Sequence, residues 1–270
     1  MVEGCRVHCP GGHSLCRRAG YVGTQDLQLS RWLDWVSSAN LYSLNYSGYT
    51  LLHRYSFNDG TASDSVGGSA YAGSLMAGAT VTSYQATFST SDQYVNLPSG
   101  LFGSYTAVSV EAWVTTGVNS AWTRVFQFGA NIVSAGTVNT NSIIVQRDSS
   151  NAIVLSWYNS AGTQSGFISS APFDSQTSLH VVVTISAGDN ARLYINRVLQ
   201  GTTPAVVNSI PLPSVFYISK SFDGNPGLVG SVNEFRIWGG VLSATDIATR
   251  YSQGPGEIHS EWPLFATSLI

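Results

Sequence analysis

Val108-Ser109-Val110-Glu111-Ala112-Trp113-Val114 is the stretch on which the fold turns. Successive side chains of an extended chain point to opposite faces, so Val108, Val110, Ala112 and Val114 share one side and Glu111 and Trp113 the other. Apolar residues recurring at every second position make a strand face and cannot make a single helical stripe.

The same period extends outward in both directions. Toward the N-terminus, Leu51, His53, Tyr55 and Phe57 fall on one strand face. Toward the C-terminus, further strands read at Val125–Phe128, Ile143–Arg147, Ile153–Tyr158, His180–Ser186, Arg192–Asn196, Phe216–Ser219 and Val229–Trp238. Clusters of Gly, Asn, Asp, Ser and Pro separate them, as turns require. Many short strands at this spacing predict an antiparallel sandwich or barrel, and no strand–helix–strand alternation points to a parallel sheet. One helix closes the pattern: Ser243-Ala244-Thr245-Asp246 is a capping box, Ile247, Ala248 and Tyr251 form its apolar face, and Gly254-Pro255 stops it. Ahead of the strands, residues 1–23 read as irregular, while Leu27, Arg31, Trp32, Trp35 and Val36 fall at helical spacing over 24–38. Residues 1–48 thus read as a leader, 49–256 as the sandwich and 257–270 as a tail.

Composition narrows the function classes. Only 10% of the 270 residues are charged, against about 25% in ordinary soluble domains. Hydrophobic residues make up 43%, which excludes a disordered composition. Solubility therefore rests on Ser, Thr, Asn, Gln and Gly, a style that suits secreted adhesive modules. The net charge is −3, and Arg17-Arg18 is the one short basic cluster, so a phosphate-neutralising surface is missing and nucleic acid is not an expected partner. No apolar run reaches the length of a membrane-spanning helix. Met1 is followed by Glu3, Arg6 and a Gly/Cys/His stretch without the apolar segment of a signal peptide, so a secretion signal is missing or the chain is an excerpt of something longer. Asn45-Tyr46-Ser47 is a glycosylation sequon. Cys5, Cys9 and Cys16 leave the sandwich without cysteines. With His8 and His13 between them they invite a zinc reading, but the paired C-x2-C spacing of structural zinc sites is lacking, and a flexible leader is the favoured reading.

Four blocks then resemble one family, the laminin G-like, concanavalin A-like domains. They are Leu52-His53-Arg54-Tyr55-Ser56-Phe57-Asn58-Asp59-Gly60 with Asp64-Ser65-Val66-Gly67-Gly68; Ser109-Val110-Glu111-Ala112-Trp113-Val114; His180-Val181-Val182-Val183-Thr184 with Arg192-Leu193-Tyr194-Ile195-Asn196; and Gly230 through Trp238 with Leu242-Ser243 and Asp246-Ile247. Three positions depart from the pattern: Leu179 where Trp is frequent, Arg197 where the hairpin usually has Gly, and Asn233 where Asp is frequent. The resemblance implies a two-sheet jelly-roll sandwich whose first and last strands pair or neighbour, bringing residues 52–64 near 230–238. Trp113, Phe126, Trp157, Val183, Leu193, Phe235 and Ile237 are the expected core.

The resemblance also implies candidate sites. A calcium ion would be expected on a rim loop, with Asp59, Asp64, Asn233 and Glu234 as donors. The plain alternative is that both aspartates make turns. Carbohydrate binding in such sandwiches calls for an aromatic platform with Asp, Asn and Gly in loops. Trp122 beside Asn119, Phe222 beside Asp223 and Asn225, and Tyr158 are the candidates, each weighed against simple coverage of the sandwich end. Related glucanases place two carboxylates close together on one strand, whereas Glu111 and Glu234 each stand alone. The expected function is therefore a non-catalytic, extracellular recognition module for a glycan, calcium-assisted by that implication, within a larger adhesive protein. A surface protein partner or a structural role in an assembly comes next, and a glycoside hydrolase last.

Overall fold

The structure, a computed structural model, describes residues 48–129, 142–159, 162–207 and 213–256. The helix expected over 24–38, Cys5, Cys9, Cys16, the Asn45 sequon and the tail 257–270 lie outside the described residues.

The first strands are β1 (Thr50–Tyr55), β2 (Ser74–Met76), β3 (Thr80–Thr82), β4 (Gln85–Phe88) and β5 (Tyr94–Leu97). There follow β6 (Ala107–Thr116), β7 (Arg124–Gly129), β8 (Ser142–Arg147), β9 (Ala152–Tyr158) and β10 (Gln164–Pro172). The last are β11 (Leu179–Ser186), β12 (Asp189–Ile195), β13 (Val198–Val207), β14 (Val215–Ile218) and β15 (Gly230–Gly239), and helix α1 (Ala244–Gln253) follows them. One sheet has the order β13-β12-β11-β6-β15-β4-β3, with β1 also paired to β15; the other runs β10-β9-β8-β7-β14-β5-β2. Every strand pairing between these elements is antiparallel. The expected meeting of first and last strands is present: Arg54 lies opposite Arg236 and Tyr55 opposite Phe235.

The core is the layer between the sheets. Val108, Val110, Ala112 and Val114 of β6, with Val183, Leu193, Phe235 and Ile237, face Phe126, Phe128, Leu155, Trp157 and Phe216 of the second sheet. Trp113 is a correction. It is buried, but strand parity puts it on the opposite face from Val114, outside this layer, where it stacks on His180 with ring centroids 4.2 Å apart. That outer face is not left to water. Leu51, Val182, Tyr194, Trp238, Leu242 and Ile247 of α1 form a second apolar cluster over it. Both faces of β6 are therefore buried, whereas a strand at the rim of a sandwich would bury one.

Two bulges decide which side chains reach which face. The register of β15 shifts between Val232 and Glu234, so Val232 lies opposite Val114 while Glu234 lies opposite Trp113. Asn233 is the extra residue. Were Asn233 paired in regular register instead of bulged, Glu234 would fall opposite Ala112, share the inward parity of Val232 and carry a carboxylate into the apolar layer. A second shift, between Leu51 and His53, sends Leu51 to the outer cluster while Tyr55 and Phe57 stay in the core. The expectation that Leu51 shares their face is corrected by that bulge.

The departure at Arg197 is absorbed locally. Asn196 and Arg197 form the turn between β12 and β13 with φ of 47° and 67°. Arg197 thus takes a left-handed backbone at a cost of about 1 kcal/mol, and its guanidinium sits 5.4 Å from the Tyr251 ring centroid. Helix α1 begins as expected: Ser243 Oγ accepts from the Asp246 amide at 3.1 Å, and the Ser243 amide donates to the Asp246 carboxylate at 3.1 Å. Ser243→Ala removes one arm of this box. The expected cost is about 1 kcal/mol, read as a fall of roughly 2–4 °C in Tm for a domain of this size; an unchanged Tm would show that α1 does not depend on its cap.

Candidate functional site

A groove of about 560 Å³ lies on the outer side of the second sheet. Its lining includes Gln146 of β8, Val154 and Ser156 of β9, Gln164 and Gly166 of β10, and Trp122 from the loop before β7. Period two explains the set. Val145, Leu155 and Trp157 point into the core, so their neighbours Gln146, Val154 and Ser156 must point out. Asp148, Ser149 and Ser150 of the β8–β9 turn and Pro204 of β13 also line it.

Trp122 is displayed, not merely left over. The residue is 45% exposed although it is the largest residue type. Its backbone is left-handed, with φ 67°, a conformation that persists in a bulky residue only when the surroundings over-determine it. Here they do. The Trp122 amide donates to the Arg147 carbonyl at 2.9 Å, and its own carbonyl accepts from Arg124 Nη1 at 2.8 Å.

Arg124 is the hub beneath the groove, with 3% of its side chain exposed. Nη1 also donates to Gln146 Oε1, Nε donates to Gln127 Oε1 at 3.0 Å, and Nη2 makes contacts of 3.0 and 3.1 Å with the Asp223 carboxylate. Burial would raise the Asp223 carboxyl; the Ser221 hydroxyl, the Arg124 charge and the Asn225 amide outweigh it and hold the group below the ordinary carboxylate range. One guanidinium thus ties the Trp122 loop, the 221–225 loop and the groove amide Gln146 together.

The expected ligand residues divide accordingly. Trp122 lines the groove. Asn119 is spent on structure: its side-chain amide donates to the Gly117 and Val229 carbonyls, and its carbonyl accepts from the Val229 amide at 2.7 Å. Asp223 and Asn225 hold each other, with Asn225 Nδ2 2.8 Å from Asp223 Oδ1. Phe222 is half-buried, edge-on to Tyr217 at 5.4 Å. Tyr158 lies on β9 between Ser142 and Gln164, half-buried. Gln146, Ser156 and Gln164 were not singled out from sequence. The one signal, for Gln146 and Ser156, is outward parity in strands β8 and β9, which are otherwise largely apolar.

The candidate calcium donors do not converge. Asp59 accepts from the Thr61 amide and hydroxyl at 2.9 and 2.8 Å and from Ser63 Oγ at 2.5 Å, hydrogen bonds that hold its carboxyl below the ordinary range, Ser63 foremost. Asp64 Oδ1 accepts from the amides of Arg54, Val66 and Gly67, and Oδ2 lies 2.6 Å from His53 Nδ1. Glu234 is fully buried and faces two guanidinium groups, Arg54 Nε at 2.5 Å and Arg236 Nε at 3.0 Å. Calcium wants six to eight free oxygens, and this set does not fit it. Among the described residues no group of three or more His, Cys, Asp or Glu is placed to hold a metal.

Glu234 belongs instead to a buried polar network on the outer face of the first sheet. Arg236 Nη1 reaches Glu111 Oε2 at 3.5 Å, Trp238 Nε1 donates to the same oxygen at 3.0 Å, and His180 Nε2 lies 3.0 Å from Glu111 Oε1. Arg250 of α1 covers Trp238, its guanidinium carbon 3.8 Å from the ring centroid. Glu111 and Glu234 are both 0% exposed, so neither carboxylate can meet a substrate.

The family described as the concanavalin A-like lectin/glucanases superfamily matches residues 89–248, more than half of the chain. No curated protein sequence matches it. Domain 4 of AbnA, an extracellular arabinanase of Geobacillus stearothermophilus solved with arabinotriose, superposes with a TM-score of 0.54 at 16% identity, over 75% of this chain and 98% of its own. The botulinum neurotoxin serotype G binding domain gives 0.56 at 15% identity, over 76% of this chain and 51% of its own. A Trypanosoma rangeli sialidase in complex with 2,3-difluorosialic acid gives 0.57 at 16% identity, over 76% of this chain and 33% of its own. This chain therefore spans about half of the toxin domain and a third of the sialidase, and at these identities the likeness is one of fold.

Proposed function

Since the chain belongs to the concanavalin A-like lectin/glucanases superfamily, we propose that it is a non-catalytic recognition module that binds a carbohydrate in the groove beside Trp122. One observation carries the reading: an exposed indole held in a left-handed backbone at the edge of a groove floored by Ser and Gln. A sugar ring offers an apolar face for the indole and hydroxyls for the amides and serines, the mixed lining that small-molecule sites use. The non-catalytic part rests on the carboxylates. Glu111 and Glu234 are buried among cations, and Asp148 is the single carboxylate among the described groove residues, where glycoside hydrolysis calls for a facing pair. Calcium is not needed in this reading, because the sugar contacts come from amides, hydroxyls and an indole. An extracellular setting, within a larger adhesive protein, is part of the same proposal and draws on the low charge of the chain.

The test is a glycan array with the full chain, run with calcium and again with EDTA, followed by titration of the best hit. Equal binding in both buffers is expected. Trp122→Ala should weaken the hit about thirtyfold, some 2 kcal/mol for an exposed aromatic anchor, and leave Tm nearly unchanged. Undiminished binding by this variant would remove the groove from the mechanism. Binding to no glycan would favour the second reading, a protein-contacting or structural module. That reading draws on Val118, Val198 and Leu199, exposed at 80%, 57% and 46%.

A further inference from the structure

We infer that the groove selects a neutral sugar, taken through a pair of its hydroxyls between Gln146 and Gln164, and rejects acidic glycans. This rests on the reading of the groove as a carbohydrate site and names the class of sugar it takes.

The orientation of the two amides carries the first half. Arg124 can only donate, so the Gln146 atom it meets must be the carbonyl oxygen Oε1. That leaves the Gln146 Nε2 hydrogens as the polar group this residue offers to the groove. Gln164 is placed the other way round: its Nε2 donates to Ser156 Oγ at 3.1 Å, which leaves Oε1 to accept. The two residues stand on β8 and β10 with β9 and Ser156 between them. The lining therefore presents a donor fixed by Arg124 at Gln146, opposite Val154, and an acceptor left by the Ser156 contact at Gln164, opposite Tyr158, four residues further along β9. Two hydroxyls set apart on a sugar, at opposite sides of one ring or on adjoining units of an oligosaccharide, each able both to donate and to accept, complement that pair. The apolar face of the same ring is then left for Trp122.

Charge carries the second half. Asp148 is the single charged residue among the described groove-lining residues, and it is negative. Its Oδ1 is engaged by the Ser150 and Ala152 amides at 2.8 Å each, which pins the carboxylate in the turn without cancelling its charge. The nearest cations are already spent. Arg124 is engaged at Nε, Nη1 and Nη2 and paired with Asp223, and Arg147 is paired with Asp174 at 2.8 Å. A sialic or uronic acid carboxylate entering the groove would lose its water, meet Asp148 and find no guanidinium or ammonium among the described lining residues to replace the lost hydration.

The experiment titrates the full chain calorimetrically against two probe sets. One holds neutral arabino-, xylo-, gluco- and galacto-oligosaccharides; the other holds sialyllactose and oligogalacturonates. Binding confined to neutral probes is expected. Gln146→Glu replaces the amide donor with a second acceptor of the same shape, which Arg124 can still hold, so the chain should keep its Tm and lose at least tenfold in affinity for its neutral probe. An acidic probe that binds as tightly as the best neutral one would overturn the selectivity and leave the groove reading standing. Neutral binding untouched by Gln146→Glu yet lost in Trp122→Ala would overturn the two-amide grip alone. Binding indifferent to both variants, or no binding to either set, would overturn the groove reading itself and this inference with it.

Discussion

Glu111→Ala is expected to destabilise the chain by about 3–5 kcal/mol, the range found when one partner of a buried ion network is removed. The magnitude comes from what is left behind more than from what is lost. His180 Nε2, Trp238 Nε1 and the Arg236 guanidinium all converge on the two Glu111 oxygens, and the carboxylate is fully buried. Without it, the His180 and Trp238 N–H groups stay dry and unpaired beneath α1, and the buried Arg236 guanidinium loses one of its two carboxylates and keeps Glu234. Chemical denaturation monitored by circular dichroism measures the loss. Glu111→Gln, which keeps an acceptor and the shape, should cost clearly less, so the pair of variants separates the charge from the packing. A loss below about 1 kcal/mol for the alanine variant would mean that water reaches the network.

The same network sets a pH dependence. Burial, the strongest single influence, would raise the Glu111 carboxyl; the His180 hydrogen bond and the charges of Arg236, His180 and Arg250 together outweigh it and hold the group below its ordinary value. A folded-state value below the unfolded one means stability that is complete above the ordinary carboxylate range and drains away as pH falls through the folded value. Acid should therefore destabilise the wild type more than Glu111→Gln, which has no proton to take up.

Arg124→Met is expected to weaken both the fold and the binding, by about 3 kcal/mol and by more than tenfold respectively. The ion pair with Asp223 accounts for little of this, because the Asp223 side chain is 37% exposed and solvent screens it. The larger part is the loss of donors to Gln146 Oε1 and the Trp122 carbonyl, each an acceptor worth roughly 1–2 kcal/mol when left without a partner in the interior, while Gln127 Oε1 keeps the Phe222 amide. Binding falls because the left-handed turn at Trp122 loses one of its two anchors and Gln146 becomes free to rotate. Arg124→Lys should recover only part of either quantity, since one ammonium cannot span four acceptors in a planar fork. Denaturation and sugar titration on the two variants check this. A methionine variant that binds like the wild type would show that Trp122 holds its position without help.

The chain's strand pattern was legible in sequence because period two depends on nothing beyond neighbouring residues. Val108, Val110, Ala112 and Val114 announce their shared face, and the capping box at Ser243 announces a helix start, by local stereochemistry alone. The pairing of the first strand with the last was reached through the family resemblance, not through the period. Sequence also placed Trp122 in a polar loop as a ligand candidate, on residue type.

What it could not supply was anything that depends on a one-residue offset or on a contact across long separation. The bulge at Asn233 turns Glu234 from a calcium candidate on a rim into the partner of Arg54, 180 residues away. Trp113 became an outer-face residue, although its parity was plain, because only α1 and its neighbours explain how an indole can be buried on the far side of the sheet. Asn119 and Asp223 look like ligand residues as types. They are structural because Val229 and Arg124 reach them first. Gln146 carries no local signal beyond outward parity, since a glutamine on an outward strand position becomes a defined donor only when a neighbour such as Arg124 fixes which end of its amide faces out. The sequence by itself thus determined nine of the fifteen strands, their faces where no bulge intervenes, and an all-β class, set by short-range periodicity. Strands β2 to β5, β10 and β13, short or interrupted by Gly and polar residues, carry too little of that pattern, and the choice of a sandwich came through the resemblance. The tertiary structure alone decided which polar groups are already satisfied, and so which are left to bind.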